Sequence, residues 1–502
     1  MATSPNASNS SIPQSTLTVL AELEKSFLLD DDKLRAIVEQ FLKDFKLGLG
    51  TYGESMAMIP TFVTGTPNGT EKGTFLALDL GGTNLRVCQV QLHGDHTYDI
   101  QQQKYRVSDA LKTGEATALF DYIAECVDTF LTGLKDFRIA GEYLHLGMTF
   151  SFPVEQTAID KGKLLTWTKG FSAKNAIDND VVQLLQDAFN RKHIHVRVTA
   201  LVNDTVGTLL SRAYLTGGCI LGAIFGTGTN GAYVEDVKTI AKLAGSNNPA
   251  VPKEGKMIVN CEWGAFDNSR NVLPVTPFDN KVDRESINPR YQCFEKFISG
   301  MYLGEITRNL LLYLVDSLLL FNGHSTKQLN THYGFDTALM SEIELDTTVP
   351  VPNATVQPQS LGATPTVNGT QPRSFTRTRG VLTRQLGFKP EFVTDIDCEI
   401  VQWACRVVAT RAAKCSGCAV AAIIKQTGAD KDTGVIPVGV DGSMAEHYPL
   451  FEVRLREALI VLVGEEVEKR VEIGLAKDGS GVGAALCALQ AAKQEVLPVP
   501  LI

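Results

Sequence analysis

Residues 78–84 read Leu78-Asp79-Leu80-Gly81-Gly82-Thr83-Asn84, and what flanks them sets the expected fold class. Before them, Thr74–Leu80 is rich in β-forming residues. After them, Leu85, Val87, Val90 and Leu92 resume an extended apolar pattern, so the segment is a hairpin whose tip carries Gly81–Asn84. A second hairpin pattern spans Cys219–Val234, and its tip is Gly226-Thr227-Gly228-Thr229-Asn230. There Gly228-Thr229-Asn230 repeats Gly82-Thr83-Asn84 in the same setting, a turn between apolar strands. The shared context predicts two related halves. Two similar lobes facing each other enclose a cleft, the usual place for a ligand.

Glycine lets a backbone turn tightly and bring its N–H groups against anionic oxygens. The Gly81–Asn84 turn is therefore either an ordinary hairpin tip or a phosphate cradle. It is no Walker loop, since it lacks the Gly-Lys-Ser/Thr ending and leads into a strand. The Asp79 carboxylate beside it favours the cradle, because it can position a magnesium ion through water. Gly226–Thr229 is a second such turn. Asp441-Gly442-Ser443 is a third, at a strand-to-helix junction where a helix N-terminus favours anions. Three turns of this kind predict a clamp for nucleotide phosphates.

Working outward, residues 1–16 are Ser, Asn and Thr rich and are expected to be disordered. They have neither a basic region nor an apolar core and do not read as a signal peptide. Leu17, Leu20, Leu23, Phe27, Leu34, Ile37, Val38, Phe41 and Leu42 recur at helical spacing, and Gly48–Gly73 reads as loops. Helices near Thr117–Leu134 and Asn179–Asn190 alternate with strands at Tyr143–Phe150 and Ile194–Val202, the pattern of an α/β protein. Asp346–Phe375 is Pro, Thr, Val and Asn rich and reads as a surface insertion. A strand at Gly434–Val440 and helices near Glu452–Val463 and Gly481–Lys493 close the chain. The expected organisation is helix and loops over 17–73, a small domain over 74–204 joined by a C-terminal helix at 476–502, and a large domain over 205–475.

A formal charge of -9 argues against nucleic-acid binding, which selects clustered Lys and Arg. Leu310–Phe321, interrupted by Asp316, is too short to span a bilayer, so no membrane span is expected. Ten unclustered cysteines suggest free thiols in a reducing compartment, and the expected location is cytoplasmic. Cys415-Ser416-Gly417-Cys418 has redox or zinc spacing, but no second pair completes it, and buried thiols are the expected reading.

Asn203-Asp204 ends a strand and precedes a helix. It is either an N-cap or, in the company of the glycine turns, the carboxylate that hydroxyl-to-phosphate transfer needs. Ser151-Phe152-Pro153 follows a strand. Thr166-Trp167-Thr168-Lys169-Gly170 sets a lysine in a loop. Glu262, in Glu262-Trp263-Gly264, lies among apolar residues where an unpaired carboxylate is costly, so it has a buried partner or faces a polar cavity. Glu295, in Phe294-Glu295-Lys296, reads alone as a helical surface residue.

Together these motifs resemble the eukaryotic hexokinase family, and within it the fungal glucokinase-like members, from about Leu17 to Leu489. The resemblance also includes Arg86, Asn203–Thr208 and Ser299-Gly300-Met301-Tyr302-Leu303-Gly304-Glu305. It implies the two-lobed actin-like ATPase (ribonuclease H-like) fold, with small and large α/β domains flanking a cleft. It also implies ATP- and magnesium-dependent phosphorylation of glucose, and of other hexoses such as mannose and fructose, at the 6-hydroxyl, the first step of glycolysis. On matching positions Asp204 is the general base. Lys169 offsets phosphoryl charge and contacts the sugar with Ser151, Asn203, Asn230, Glu262 and Glu295, while Thr168, Phe152 and Pro153 shape the pocket. Gly81, Gly82, Thr83, Asn84, Gly226, Thr227, Gly228, Thr229, Gly442 and Ser443 hold the nucleotide with Arg86 nearby, and Asp79 positions magnesium through water. Phe152 stands where many members have Tyr, and nothing carries over onto the 346–375 insertion.

Two other readings share the fold: a sugar sensor without catalysis, and an actin- or chaperone-like ATPase without a sugar. The presence of base, lysine and phosphate turns favours an active enzyme, as a monomer or homodimer. The polar set Asn203, Asn230, Glu262 and Glu295 argues for a hydroxyl-rich ligand.

Overall fold

The computed structural model describes residues 12–81, 84–134, 143–167, 170–346, 375–476 and 478–496. In chain order the strands are β1 (Ile59–Pro60), β2 (Lys72–Leu80), β3 (Asn84–His93), β4 (Tyr98–Arg106) and β5 (Leu144–Phe150). Next come β6 (Val154–Ala158), β7 (Lys161–Leu164), β8 (Val196–Val202), β9 (Leu221–Phe225) and β10 (Thr229–Asp236). Last are β11 (Lys256–Asn260), β12 (Ile436–Asp441) and β13 (Val471–Leu475).

Two mixed sheets carry the molecule, ordered β4-β3-β2-β5-β8 and β1-β11-β10-β9-β12-β13. The repeat read from the two glycine turns extends through both. β2 pairs antiparallel with β3 and β3 with β4, while β5 and β8 run parallel on the other side of β2. β9, β10, β11, β12 and β13 reproduce that arrangement, with β1 added at the edge. A helix follows the last strand of each unit: Asp204–Thr216 after β8 and Gly479–Val496 after β13. These helices cross at glycine, where a Cβ on Gly483 would lie 2.1 Å from the Gly207 Cα. Any side chain there would separate the lobes.

The helix Gly479–Val496 packs on β2, β5 and β8, and Thr149 Oγ1 donates to the Ser480 carbonyl at 2.9 Å. The outer face of the five-stranded sheet is covered by helices Ala116–Gly133 and Val181–Arg191, whose Phe120, Ile123, Leu185 and Phe189 are buried with Leu78, Leu146 and Met148. The larger core gathers around Asp395–Thr427, whose buried residues occur on every side. By length and composition this helix could cross a membrane, but 89% of its most apolar window is buried inside the protein. Within it Arg411 is buried and pairs bidentately with Asp279 at 2.6 and 2.8 Å. Cys415 and Cys418 lie in this helix as buried free thiols, as expected.

Three expectations change. Order begins before Leu17: Ile12 is buried and a helix starts at Gln14. The 48–73 passage is not all loop, since a helix runs from Asp31 to Gly50 and β1 pairs with β11. Two residues are too few for a period-two signal, and Pro60 is tolerated because β1 is an edge strand. β4 also escaped notice, because its mostly polar residues give no apolar alternation on an exposed edge. Residues 347–374 of the expected insertion lie outside the described residues.

Candidate active site

Asn203 and Asp204 divide the two roles that the sequence left open. Asn203 is the N-cap, with extended backbone (φ -81°, ψ 156°), and its Oδ1 accepts from the Thr205 N–H at 3.0 Å and the Thr205 hydroxyl at 2.7 Å. Asp204 is the first helical residue. Its Oδ1 accepts from the Thr205 N–H at 2.9 Å, and its Oδ2 accepts from the Ser151 hydroxyl at 3.4 Å. The carboxylate therefore sits where the end of β5 meets the start of the helix between the two sheets.

Opposite it, β10 and β11 supply a polar network. Asn230 Nδ2 donates to Asn260 Oδ1 at 2.8 Å, to Glu262 Oε1 at 3.2 Å and to Asn203 Oδ1 at 3.5 Å. Asn260 Nδ2 donates to the same Glu262 oxygen at 2.8 Å. Glu262 lies in the left-handed region (φ 55°), which turns the chain sharply after β11 and aims its carboxylate back at the strand pair. The turn is held by the buried Trp263, whose ring fills the space beside Gly231 and whose Nε1 donates to Thr229 Oγ1 at 3.0 Å. Of the alternatives for Glu262, the structure has both: amide partners and a cavity of about 20 Å³ lined by Thr61, Phe152, Gln156, Asn203, Asn260 and Glu262. That volume holds a water molecule.

Glu295 is not a free surface residue. It is half-buried in the short helix Cys293–Ile298, and its Oε2 accepts from the Thr229 N–H at 3.1 Å. Sequence reasoning on its own helix missed this, since its partner lies on a distant strand. Asn260 was missed altogether. The available signal was a polar residue closing the apolar run Met257-Ile258-Val259, two positions before Glu262.

The second and third glycine turns are in contact. A Cβ on Gly442 would lie 2.6 Å from the Phe225 carbonyl carbon and 2.7 Å from the Gly226 nitrogen, and Gly442 has φ 106°. Both features demand glycine there. Ser443 starts a single helical turn, Ser443–His447. In the first turn the Gly81 N–H donates to the Asn84 carbonyl at 3.2 Å; Gly82 and Thr83 lie outside the described residues. Asp79 is opposite Arg86 across β2 and β3, and Arg86 also approaches Asp478 at 3.6 Å. Asp441, at the start of the third turn, is pushed above the usual carboxylate range. Burial is the main cause, and the Asp204 carboxylate adds to it.

Phe152 packs edge-on against Trp167 and Phe171 in an aromatic cluster of the small sheet, and the Leu165 N–H donates to the Pro153 carbonyl. Thr168 and Lys169 lie outside the described residues. Next to them, Trp167 Nε1 donates to the Ala173 carbonyl at 2.9 Å, and Gly170 has φ 80°. Elsewhere, Glu285, Glu305 and His332 approach one another, but Arg308 already spans the buried Glu305 carboxylate.

Two repeated α/β units joined by crossing helices, with one glycine turn on the smaller sheet and two on the larger beside the amide-carboxylate network, define a two-lobed phosphotransferase of the actin-like ATPase class. The chain matches the Hexokinase family models over residues 19–214 and 220–490. It is similar to a glucokinase of Aspergillus niger (40% identity, 95% of this chain and 97% of that protein) and to hexokinase-1 of Schizosaccharomyces pombe (38%, 95% and 92%). A solved hexokinase of Schistosoma mansoni complexed with glucose superposes with a TM-score of 0.78 at 35% identity, over 95% of this chain and 99% of that one. This chain belongs to the hexokinase family, kinases that transfer phosphate to a sugar hydroxyl.

Proposed function

We propose that this protein transfers the γ-phosphoryl group of ATP to the 6-hydroxyl of D-glucose, and of mannose and fructose, with Asp204 as general base. The observation that carries the reading is the division of labour at 203–204. Asn203 caps the helix end; Asp204 Oδ1 shares the Thr205 N–H, and its Oδ2 is left to the cleft, beside Ser151 and facing the Asn230–Asn260–Glu262 network.

A sugar hydroxyl is a poor nucleophile at neutral pH, and Asp204 accepts its proton as the bond to phosphorus forms. Ser151 orients that carboxylate. Glu262 and Glu295 accept from sugar hydroxyls, a role suited to ionised carboxylates, which only accept. Asn203 and Asn230 offer both donors and acceptors, and Lys169, Thr168, Phe152 and Pro153 complete the pocket on the small-lobe side. The turns at Gly81–Asn84, Gly226–Thr229 and Gly442-Ser443 bind the phosphates, with Arg86 nearby. We assign the lobes to 74–204 with the C-terminal helix, and to 205–475. Their closure on the sugar excludes the water that would otherwise hydrolyse ATP.

The acidic set Asp79, Asp204 and Asp441 fits a hard divalent cation, since hard cations take oxygen ligands and Asp441 is close enough to Asp204 to feel its charge. Asp79 would hold magnesium through water; when bound, the ion offsets charge on the phosphoryl oxygens. The protein is proposed to act in the cytoplasm, as a monomer or homodimer.

A coupled assay for ADP release with glucose, mannose and fructose tests the reading. Glucose-dependent turnover supports it, and its absence in the presence of ATP and magnesium overturns it.

A further inference from the structure

The carboxylate proposed to hold the sugar is bonded to the backbone proposed to hold the nucleotide. Glu295 Oε2 accepts from the Thr229 N–H at 3.1 Å. It also fills the space beside Gly228, where a Cβ would meet it at 2.6 Å. The same segment grips the turn a second time. Immediately after the Glu295 helix, the Gly300 N–H donates to the Gly226 carbonyl at 2.7 Å and the Met301 N–H to the Thr227 carbonyl at 3.2 Å. A third tie is Trp263, next to Glu262, which donates to Thr229 Oγ1. The Gly226–Thr229 turn is thus fastened from the sugar side at both of its ends, by groups within the larger lobe alone.

We propose that Glu295 is a positioning residue for the Gly226–Thr229 turn, so that sugar and nucleotide binding are coupled through the Glu295–Thr229 hydrogen bond before the lobes close. The inference rests on the sugar and nucleotide roles given under Proposed function. A sugar hydroxyl that donates to Glu295 fixes the carboxylate, and the carboxylate fixes the Thr229 amide. The turn is then set for phosphate before any movement of the smaller lobe. Linkage makes the effect reciprocal: a nucleotide that holds the turn favours sugar by the same factor.

Gly228→Ala isolates the contact. The position has an ordinary φ, so alanine is compatible with the backbone there, but its methyl displaces Glu295 Oε2. Calorimetry on the full chain would measure glucose binding without nucleotide, and ADP binding with and without saturating glucose. Expected for the unaltered protein is tightening of ADP by glucose of about 5-fold or more, a typical coupling. For Gly228→Ala the expected results are weaker glucose binding in the absence of any nucleotide and a coupling factor near one. Unchanged glucose affinity, or retained coupling, would overturn the proposal. Should Gly228→Ala fail to fold, hydrogen exchange on the unaltered protein decides: glucose alone must slow exchange of the Thr229 amide, and an unchanged rate refutes the link. Failure of the underlying reading is separately visible, as absence of glucose binding or phosphorylation by the unaltered protein.

Discussion

The Ser151 hydroxyl donates to Asp204 Oδ2 at 3.4 Å and so joins the end of β5 to the first turn of the helix that follows β8. The contact ties together the ends of two neighbouring parallel strands, where the five-stranded sheet meets the helix that leads to the other lobe. It gives the Asp204 carboxylate a fixed direction.

Asp204→Ala is expected to lower kcat by about 10²–10⁴-fold, the usual worth of a general base. Glucose affinity should change only a few-fold, because Asn203 retains the cap and the Asn230–Glu262 network is untouched. Turnover and calorimetry together check this; near-normal kcat would mean that another group takes the proton. Ser151→Ala, which loses the orienting bond and one proposed sugar contact but keeps the base, should lower kcat far less.

Asn260 should matter as much as the residues that the motifs point to. It accepts from Asn230 and donates to Glu262, so Asn260→Leu leaves both partners short of a bond. The cost to stability is about 1–3 kcal/mol for a buried group left unsatisfied. The KM for glucose should rise by about 10-fold or more, since two sugar-facing groups lose their orientation at a cost of about 1.4 kcal/mol per decade. Urea denaturation and steady-state kinetics read the two effects separately.

Asp441 makes a prediction about pH. Its folded-state pKa is raised by burial, so between the unfolded value, about 3.9, and the folded one the native state binds more protons. Its contribution to stability therefore falls as pH rises through that window and stays unfavourable at neutral pH. Asp441→Asn keeps an acceptor for the Gly442 N–H and removes the charge. It should raise the Tm at pH 7 in the absence of magnesium, with the gain shrinking as the pH falls toward 4. Turnover should nevertheless fall, because a carboxylate of the proposed magnesium-binding set is lost.

Lys242 ties the end of the helix Asp31–Gly50 to the chain that enters β1. Its ammonium donates to the carbonyls of Gly48, Ala57 and Met58 at 2.8, 2.8 and 2.7 Å, while burial pulls its pKa down to about 8. Those carbonyls bracket the passage that leads into β1 and Thr61. Lys242→Met should destabilise the protein by about 2–4 kcal/mol, since several buried acceptors lose a charged donor. Chemical denaturation measures it, and a change below 0.5 kcal/mol, the range of an ordinary surface substitution, would show that the ammonium is dispensable.

Much of this was legible in the chain because its signals are local. Gly81–Asn84 and Gly226–Asn230 lie on hairpin tips that strand patterning reveals, and their repetition foretold the matching strand orders of the two sheets. Family motifs pointed to Ser151, Asn203, Asp204, Asn230 and Glu262, which the structure brings close together. Signals that fail are those without local form: β1 is too short to show a period, and β4 has no buried face. Glu295 looked like a surface residue because its own helix says nothing of Thr229.

Residue types and spacings thus pointed to a nucleotide-phosphate clamp, and the run of family motifs named the class of chemistry, because glycine turns and a strand-end aspartate are written in short stretches of sequence. They could not say which of Asn203 and Asp204 caps the helix, that Asn260 completes the network, or that Glu295 accepts from the Thr229 N–H. Those relationships join residues on different strands and helices. They exist only once hydrophobic burial and the Gly207–Gly483 crossing have brought the two lobes into one geometry, because hydrogen bonds act over about 3 Å and the chain encodes that proximity only through its packing.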